Sequence, residues 1–270
     1  MLKFSSLYSG STGNSLLVQS KHHNVLIDSG VSAKKIVEGL DQLGVCASDI
    51  DAILVTHEHS DHVQSLATIS KKFDIPVYAN QNTWEAMPDK KDKIEEKNQR
   101  CFVTSDHFEI GDLLVKPFAI PHDAAEPCGF TFSCKDEKIG IATDIGHMTK
   151  EIMNCLEGSQ FLLLESNYEP EVLKCSRYPY LLKTRIAGPN GHLSNQLAGK
   201  TIAKLVGSGL QEVMLGHLSK ENNFPELALK SVWEELHFVG IDDTSLPIHV
   251  ASRTSPTTMA KVFSSFDMAH

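Results

Sequence analysis

Three histidines and an aspartate fall within six residues, His57-Glu58-His59-Ser60-Asp61-His62, directly after the apolar run Ala52-Ile53-Leu54-Val55. Side chains two apart in an extended segment share a face, so His57 and His59 converge on one point while Asp61 and His62 follow around a turn. The spacing therefore offers two neighbouring donor sets. Neutral imidazoles with a carboxylate suit zinc, manganese or iron, and no soft thiolate stands beside them. As a plain polar loop the cluster would repel itself on protonation, so metal binding is the better reading of these residue types at this spacing.

The elements that must position such a loop are legible around it. Residues 2–8, 15–19 and 25–27 alternate as short strands separated by turn chemistry and read as antiparallel. From Ser32, a candidate N-cap, Ile36, Val37, Leu40 and Leu43 recur at helical spacing, with Gly44 as the stop. Residues 52–55 form a buried strand, 63–73 a helix and 76–79 a strand, and the charged stretch 86–100 reads as a surface excursion. Further strands are expected at 113–119, 129–133, 138–142, 161–165, 213–216 and 248–251, with helices at 150–156, 194–206 and 226–237. Hairpin-like strands punctuated by helices imply an α/β fold, with mixed sheets and helices outside. No repeat or linker divides the 270 residues, so one domain over 1–270 is expected.

Composition removes several alternatives. The start of the chain shows no basic segment followed by an apolar stretch, and no run approaches the roughly 20 apolar residues of a membrane span, so a cytoplasmic protein with no membrane partner is expected. The six cysteines are scattered without a C-x-x-C pair, which argues against a disulfide framework or a structural zinc knuckle. A formal charge of -9 argues against non-specific coating of nucleic acid. One tract departs from that average. Between 174 and 211 there is no Asp or Glu, while Lys174, Arg177, Lys183, Arg185, Lys200 and Lys204 all fall there.

The segment His57-x-His59-x-Asp61-His62 resembles the signature of the metallo-β-lactamase superfamily, whose fold is an αββα sandwich with a dinuclear metal site in the cleft above the strands. The resemblance extends to three later strand ends: His122 in Ile120-Pro121-His122-Asp123, Asp144 in Ile141-Ala142-Thr143-Asp144, and His217 in Met214-Leu215-Gly216-His217. It implies two divalent metal ions, Zn2+ or Mn2+ with Fe as an alternative. His57, His59 and His122 would hold one, Asp61, His62 and His217 the second, and Asp144 would bridge. Asp28, in Leu26-Ile27-Asp28-Ser29-Gly30, resembles the strand-end aspartate that orients the histidine-rich turn. His147 has a supporting role or none. His22, His23, His107, His237 and His249 read as surface or core histidines.

A metal pair of this kind implies hydrolysis, with Asp61 and Asp144 at the reacting centre. The choice of bond turns on the cationic tract. Within it Gly188-Pro189-Asn190-Gly191-His192-Leu193-Ser194-Asn195 leads into the helix expected at 194–206, and a helix N-terminus flanked by His192, Arg185 and Lys183 suits phosphate. Ser194 and Asn195 would add to that site. The 9–15 loop, including Asn14, is either an amide nest facing the cleft or a simple hairpin turn. Together the Gly-His-Leu-Ser-Asn element and this loop resemble the YycJ/WalJ (VicX) branch of the superfamily. That resemblance implies 5′-to-3′ exonuclease activity on DNA in preference to RNA, by attack of a hydroxide held by the metal pair on a phosphodiester, with His192 holding an oxygen or protonating the leaving alcohol. The chain has no room for the accessory grip of longer RNA-processing relatives, so DNA binding is expected to be weak and salt-sensitive. Two alternatives stay open: a small-molecule hydrolase of thioesters, lactones or cyclic phosphodiesters, and a metal-binding regulatory protein without turnover.

Overall fold

The computed structural model describes residues 1–257 and 260–261. The strands β1 (Lys3–Tyr8), β2 (Ser15–Gln19) and β3 (Asn24–Ile27) pair antiparallel, then β4 (Ala52–Leu54), β5 (Val77–Asn80) and β6 (Gln99–Phe102) continue the sheet in parallel. In the second sheet β7 (Phe108–Ile110), β8 (Leu113–Ala119), β9 (Cys128–Cys134) and β10 (Glu137–Ala142) run antiparallel. There β11 (Phe161–Glu165), β12 (Glu212–Gly216) and β13 (Ile248–Val250) extend β10 in parallel. The short β14 (Ala260–Lys261) pairs with β1 at the far edge of the first sheet.

The helices are α1 (Ala33–Gln42), α2 (Ser60–Val63), α3 (Leu66–Phe73), α4 (Gln81–Ala86), α5 (Pro88–Lys91), α6 (Lys150–Leu156), α7 (Pro170–Cys175), α8 (Tyr180–Ile186), α9 (Asn195–Leu205) and α10 (Pro225–Phe238). Strand alternation sorts the apolar side chains into three layers. Val25 and Ile27 point inward with Ala52 and Leu54 to meet Phe130, Ile139, Phe161 and Leu163 of the facing sheet. Their neighbours Leu26, Ile53 and Val55 point outward against Ile36, Leu40 and Leu66. On the other side Leu162, Leu164 and Leu215 pack against Ile152, Ile202 and Val232. Helix, sheet, sheet, helix is the αββα order expected from the sequence. The one-domain expectation over 1–270 reaches beyond this description, because residues 262–270 lie outside it.

Several segments differ from the sequence expectation: α4 and β7 lie where no element was expected, the helix expected at 63–73 is divided into α2 and α3, and two further stretches change character. The stretch 86–100 is not only a surface excursion: it carries α5, and its last residues enter β6, the edge strand of the first sheet, pairing in register with β5. The region 170–187, left without elements by periodicity, holds α7 and α8. Only Leu173 of α7 is buried and no residue of α8 is, so neither helix has the apolar stripe that periodicity detects.

Candidate metal centre

Parallel strands of both sheets end on one rim of the sandwich, and the chemistry collects there. At three of those ends a non-glycine residue adopts a left-handed backbone: Asp28 with φ 60°, Asp144 with φ 60° and His217 with φ 54°. Such positions cost about 1–3 kcal/mol and persist where the surroundings over-determine them. Asp144 and His217 line the cleft, and Asp28 lies buried behind it against Thr56 and His62. Gly30 lets the metal loop sit close: a Cβ there would lie 1.5 Å from the carbonyl oxygen of Asp61.

The donors converge in overlapping groups. Ligand atoms of His57, His59 and His122 lie within 4.8 Å of one another, and so do those of Asp61, His62 and His217. Asp144 stands between the groups, with Oδ2 at 3.5 Å from His62 Nε2 and Oδ1 at 3.9 Å from His122 Nε2 and 3.3 Å from His217 Nδ1. Three rings are clamped through Nδ1 so that Nε2 is left for the cleft. His62 Nδ1 donates to Asp28 Oδ2 at 2.7 Å, His122 Nδ1 to the Gly191 carbonyl at 3.0 Å, and His217 Nδ1 to Glu165 Oε1 at 2.7 Å. Asp28 also accepts from the Thr56 amide and hydroxyl, which fixes the turn that carries His57.

Charge balance shows what the cluster lacks. Burial opposes ionisation of Asp61 and Asp144, yet His217 and His62 hold both below the ordinary carboxylate range. Burial likewise opposes charge on His62, but Asp144, Asp28 and Asp61 outweigh it and raise its pKa to about 9. His217 is raised well above the usual imidazole range by Asp144, Asp61 and Glu165 against the same opposition. His57 moves the other way, lowered by burial and by the imidazoles around it. The carboxylates gathered around His62 and His217 thus favour positive charge at this point. Two buried atoms aimed into the cluster, His217 Nε2 and Asp144 Oδ2, have no hydrogen-bond partner. Orphaned donors of this hardness amid excess carboxylate fit divalent cations.

Glu165, at the end of β11, escaped the sequence reading. It is fully buried and accepts from His192 Nδ1 at 2.9 Å, His217 Nδ1 and the amides of Ile145 and Leu193. Burial opposes its ionisation, but His192 and His217 hold its carboxyl well below the usual range. The signal was available: an acid closing an apolar strand run, like Asp28 and Asp144.

The remaining expected substrate residues divide. His192 and Arg185 line the cleft, a cavity of about 230 Å3, with Tyr178, Leu182 and Ile186 on the same wall. Arg185 is not free, because its guanidinium donates to Asp123, the neighbour of His122. Gly146 admits the loop before His192, since a Cβ there would meet the Pro189 carbonyl at 2.0 Å.

Four residues expected to contact phosphate at the metal cleft are not in its lining. Lys183 turns away, its ammonium donating to the Lys174 carbonyl at 2.6 Å and lining a different cavity. Ser194 is buried and spends its hydroxyl as the N-cap of α9, accepting from the Leu197 amide at 3.3 Å. Asn195 is buried among Ser166, Glu169 and Asn223. The start of α9 therefore points into protein and not into the cleft. Asn14 is buried in the β1–β2 hairpin, bonded to Gly10 and 3.2 Å from His62 Nε2, where it braces the metal loop, while Ser11 of the same loop lines the cleft. His147 donates to the Pro189 carbonyl at 2.8 Å and supports that loop from outside.

Fold and donor set define the class, and the chain belongs to the metallo-β-lactamase superfamily, whose family description it matches over residues 8–192. Within the superfamily it falls in the YycJ/WalJ branch. It is 36% identical over 262 residues to exodeoxyribonuclease YycJ of Bacillus anthracis, spanning 97% of this chain and 99% of that relative. It is 35% identical over 236 residues to exodeoxyribonuclease WalJ of Streptococcus pneumoniae serotype 2, spanning 87% of this chain and 88% of the relative. The crystal structure of YhfI, a metallo-beta-lactamase fold protein of Bacillus subtilis, superposes with a TM-score of 0.69 over 96% of this chain and 100% of its own, at 15% identity.

Proposed function

We propose that this protein is a metal-dependent exonuclease that hydrolyses DNA phosphodiesters from the 5′ end. The observation that carries the reading is the His192–Glu165 pair set beside two convergent donor groups that share Asp144. It is supported by the names of two relatives that span most of the chain. His57, His59 and His122 would hold one divalent cation, Asp61, His62 and His217 a second, and Asp144 both; zinc and manganese suit these donors best. Bound there, the cations would lower the pKa of water toward neutrality and offset charge on phosphoryl oxygens.

The chain's own residues supply the rest. His192 donates Nδ1–H to Glu165, which fixes the ring and turns Nε2 toward the cleft. From there it can give a proton to the departing 3′ oxygen, while the Glu165 carboxylate offsets the imidazolium before transfer. Arg185 stands at the mouth, where a non-bridging phosphate oxygen can replace Asp123 as its partner. A cleft of about 230 Å3, closed on one side by α8, suits a chain end better than a continuous duplex.

No helix among the described residues is long and apolar enough to cross a membrane. A cytoplasmic location and action on DNA in preference to RNA are part of this proposal, and the exodeoxyribonuclease names of the relatives support the choice of DNA. The test is direct. Purified protein with manganese or zinc is given end-labelled single-stranded DNA and RNA, alongside a chromogenic thioester and a lactone. Release of mononucleotides from the 5′ end of DNA is the expected result. Turnover of the esters alone would replace the nuclease with a small-molecule hydrolase.

A further inference from the structure

We propose that a second cavity, on the far face of α8, binds the nucleotide next to the one at the metal cleft, with its base on Tyr180 and its phosphate between Lys174 and Lys183. This rests on the nuclease reading and adds to it the place where the strand is gripped. Leu182, Arg185 and Ile186 of α8 face the metal cleft, whereas Tyr180, Lys183 and Ala187 line a cavity of about 430 Å3. The two sets follow the three- and four-residue spacing that divides a helix into opposite faces. One thin helix, about 10 Å across, is thus the shared wall of both cavities.

The second cavity pairs apolar surface with cations. Leu173 and the buried Tyr168 form its floor, and Lys174 and Lys183 stand at its edge. No acidic side chain is among its lining residues, and the carboxylate beside it, Glu171, is paired with Lys174. The lysines are lightly engaged: Lys183 donates to a backbone carbonyl, and Lys174 pairs with Glu171, with side chains 69% and 74% exposed. Exposed pairs of that kind contribute little and yield easily. Tyr180 is 79% exposed, a large aromatic left uncovered beside a cavity. In Tyr178-Pro179-Tyr180, one ring lines the metal cleft and the other the second cavity, so a strand bending over this corner meets an aromatic on each side. Stacking accepts every base, as an enzyme that consumes a strand without regard to sequence requires.

The experiment uses metal-loaded, full-length protein and two probes. One is a 5′-phosphorylated single-stranded oligodeoxynucleotide with 2-aminopurine at its second position; the other is bis(p-nitrophenyl) phosphate, too short to span α8. Tyr180→Ala should lower kcat/KM for the oligonucleotide roughly tenfold relative to the small diester, as loss of one base stack implies. It should also abolish the fluorescence quenching that accompanies binding, and Tyr180→Phe should restore both. Lys183→Ala should weaken oligonucleotide binding and lessen its salt dependence. Unaltered quenching and an unaltered ratio in Tyr180→Ala would overturn the second site while leaving the nuclease standing. Wild-type protein that hydrolyses the small diester but never DNA would instead remove the nuclease reading, and this site with it.

Discussion

The two walls of the cleft are built on opposite plans. On one, His57, His62, Asp144, Glu165 and His217 are all buried, all but Asp144 are hydrogen-bonded to a neighbouring side chain, and three strand-end residues hold left-handed backbones. On the other, α8 buries nothing, and Tyr180 and Leu181 are 79% and 81% exposed. The first wall must keep several donors within a few tenths of an ångström, and that precision comes from desolvated hydrogen bonds on rigid strands. The second has only to meet a flexible strand, for which mobile cations and an exposed ring suffice. Changes to the first wall should therefore act on metal content and kcat, and changes to the second on KM and salt dependence.

The sharpest test of that division is Asp144→Asn. It removes a carboxylate within reach of both donor groups and leaves His62 and His217 without their strongest neighbouring charge. Elemental analysis should find at least one cation lost, and turnover should fall by roughly 10^3-fold or more. Full metal content with normal kcat would mean that the two groups do not act together.

His192→Ala comes next, because it separates proton transfer from metal holding within the same wall. Its ring touches Glu165 and faces the cleft; its ligand atom groups with those of Asp144, Glu165 and His217, but it belongs neither to the His57, His59 and His122 set nor to the Asp61, His62 and His217 set that would hold the cations. Metal content should survive while kcat falls roughly 10^2- to 10^4-fold. The deficit should be smaller for a substrate with an acidic leaving group such as p-nitrophenol, which needs no proton. An equal deficit with both leaving groups would reassign His192 to positioning.

Asp28→Asn should have a smaller effect, of about 10- to 100-fold on metal affinity, since it weakens the clamp on His62 without removing a donor. Protons give a second readout. His62 titrates near pH 9 when no cation is present, so at pH 7 metal must displace its proton, and affinity should fall as pH drops from 9 toward 6. Removing the Asp28 charge takes away part of what raises that pKa, so fewer protons should be released per metal at pH 7. Calorimetry in two buffers of different ionisation enthalpy measures the number directly.

The same contrast explains which parts of the molecule could be read from sequence. Strand ends are marked by apolar runs, so the cluster His57 to His62 stood out by itself, and His122, Asp144 and His217 matched the pattern that the family resemblance implies for later strand ends. Asp28 did too, and Glu165 carried the same mark unread. The αββα layering was expected from the resemblance to the metallo-β-lactamase superfamily, because 25–27 and 52–55 are continuous apolar runs in which alternation does not show. What could not be read depended on contacts between distant segments. Ser194 and Asn195 sit at a helix start of the kind that binds anions, but packing of that start against Ser166, Glu169 and Asn223 turns it inward. Lys183 and Arg185 differ by two positions in a charged stretch, and only the helical twist of α8 sends one to the cleft and the other to the second cavity.

Arg185→Ala should have the smallest effect and is the most informative about the second wall. The guanidinium already has a partner in Asp123, so substrate phosphate must compete with a carboxylate for it. The Arg185 side chain is 62% exposed, and an exposed pair contributes only about 0.2–1 kcal/mol, which a phosphate can offset. Loss of Arg185 should then raise KM for DNA a few-fold and reduce the slope of log affinity against log salt by about one, with kcat little changed. Asp123→Asn should shift KM the other way at low salt, because the cation is released to the substrate. A fall in kcat from Arg185→Ala as deep as that from His192→Ala would break the division itself, since it would place a residue of the exposed wall among the groups that act on the reacting phosphate.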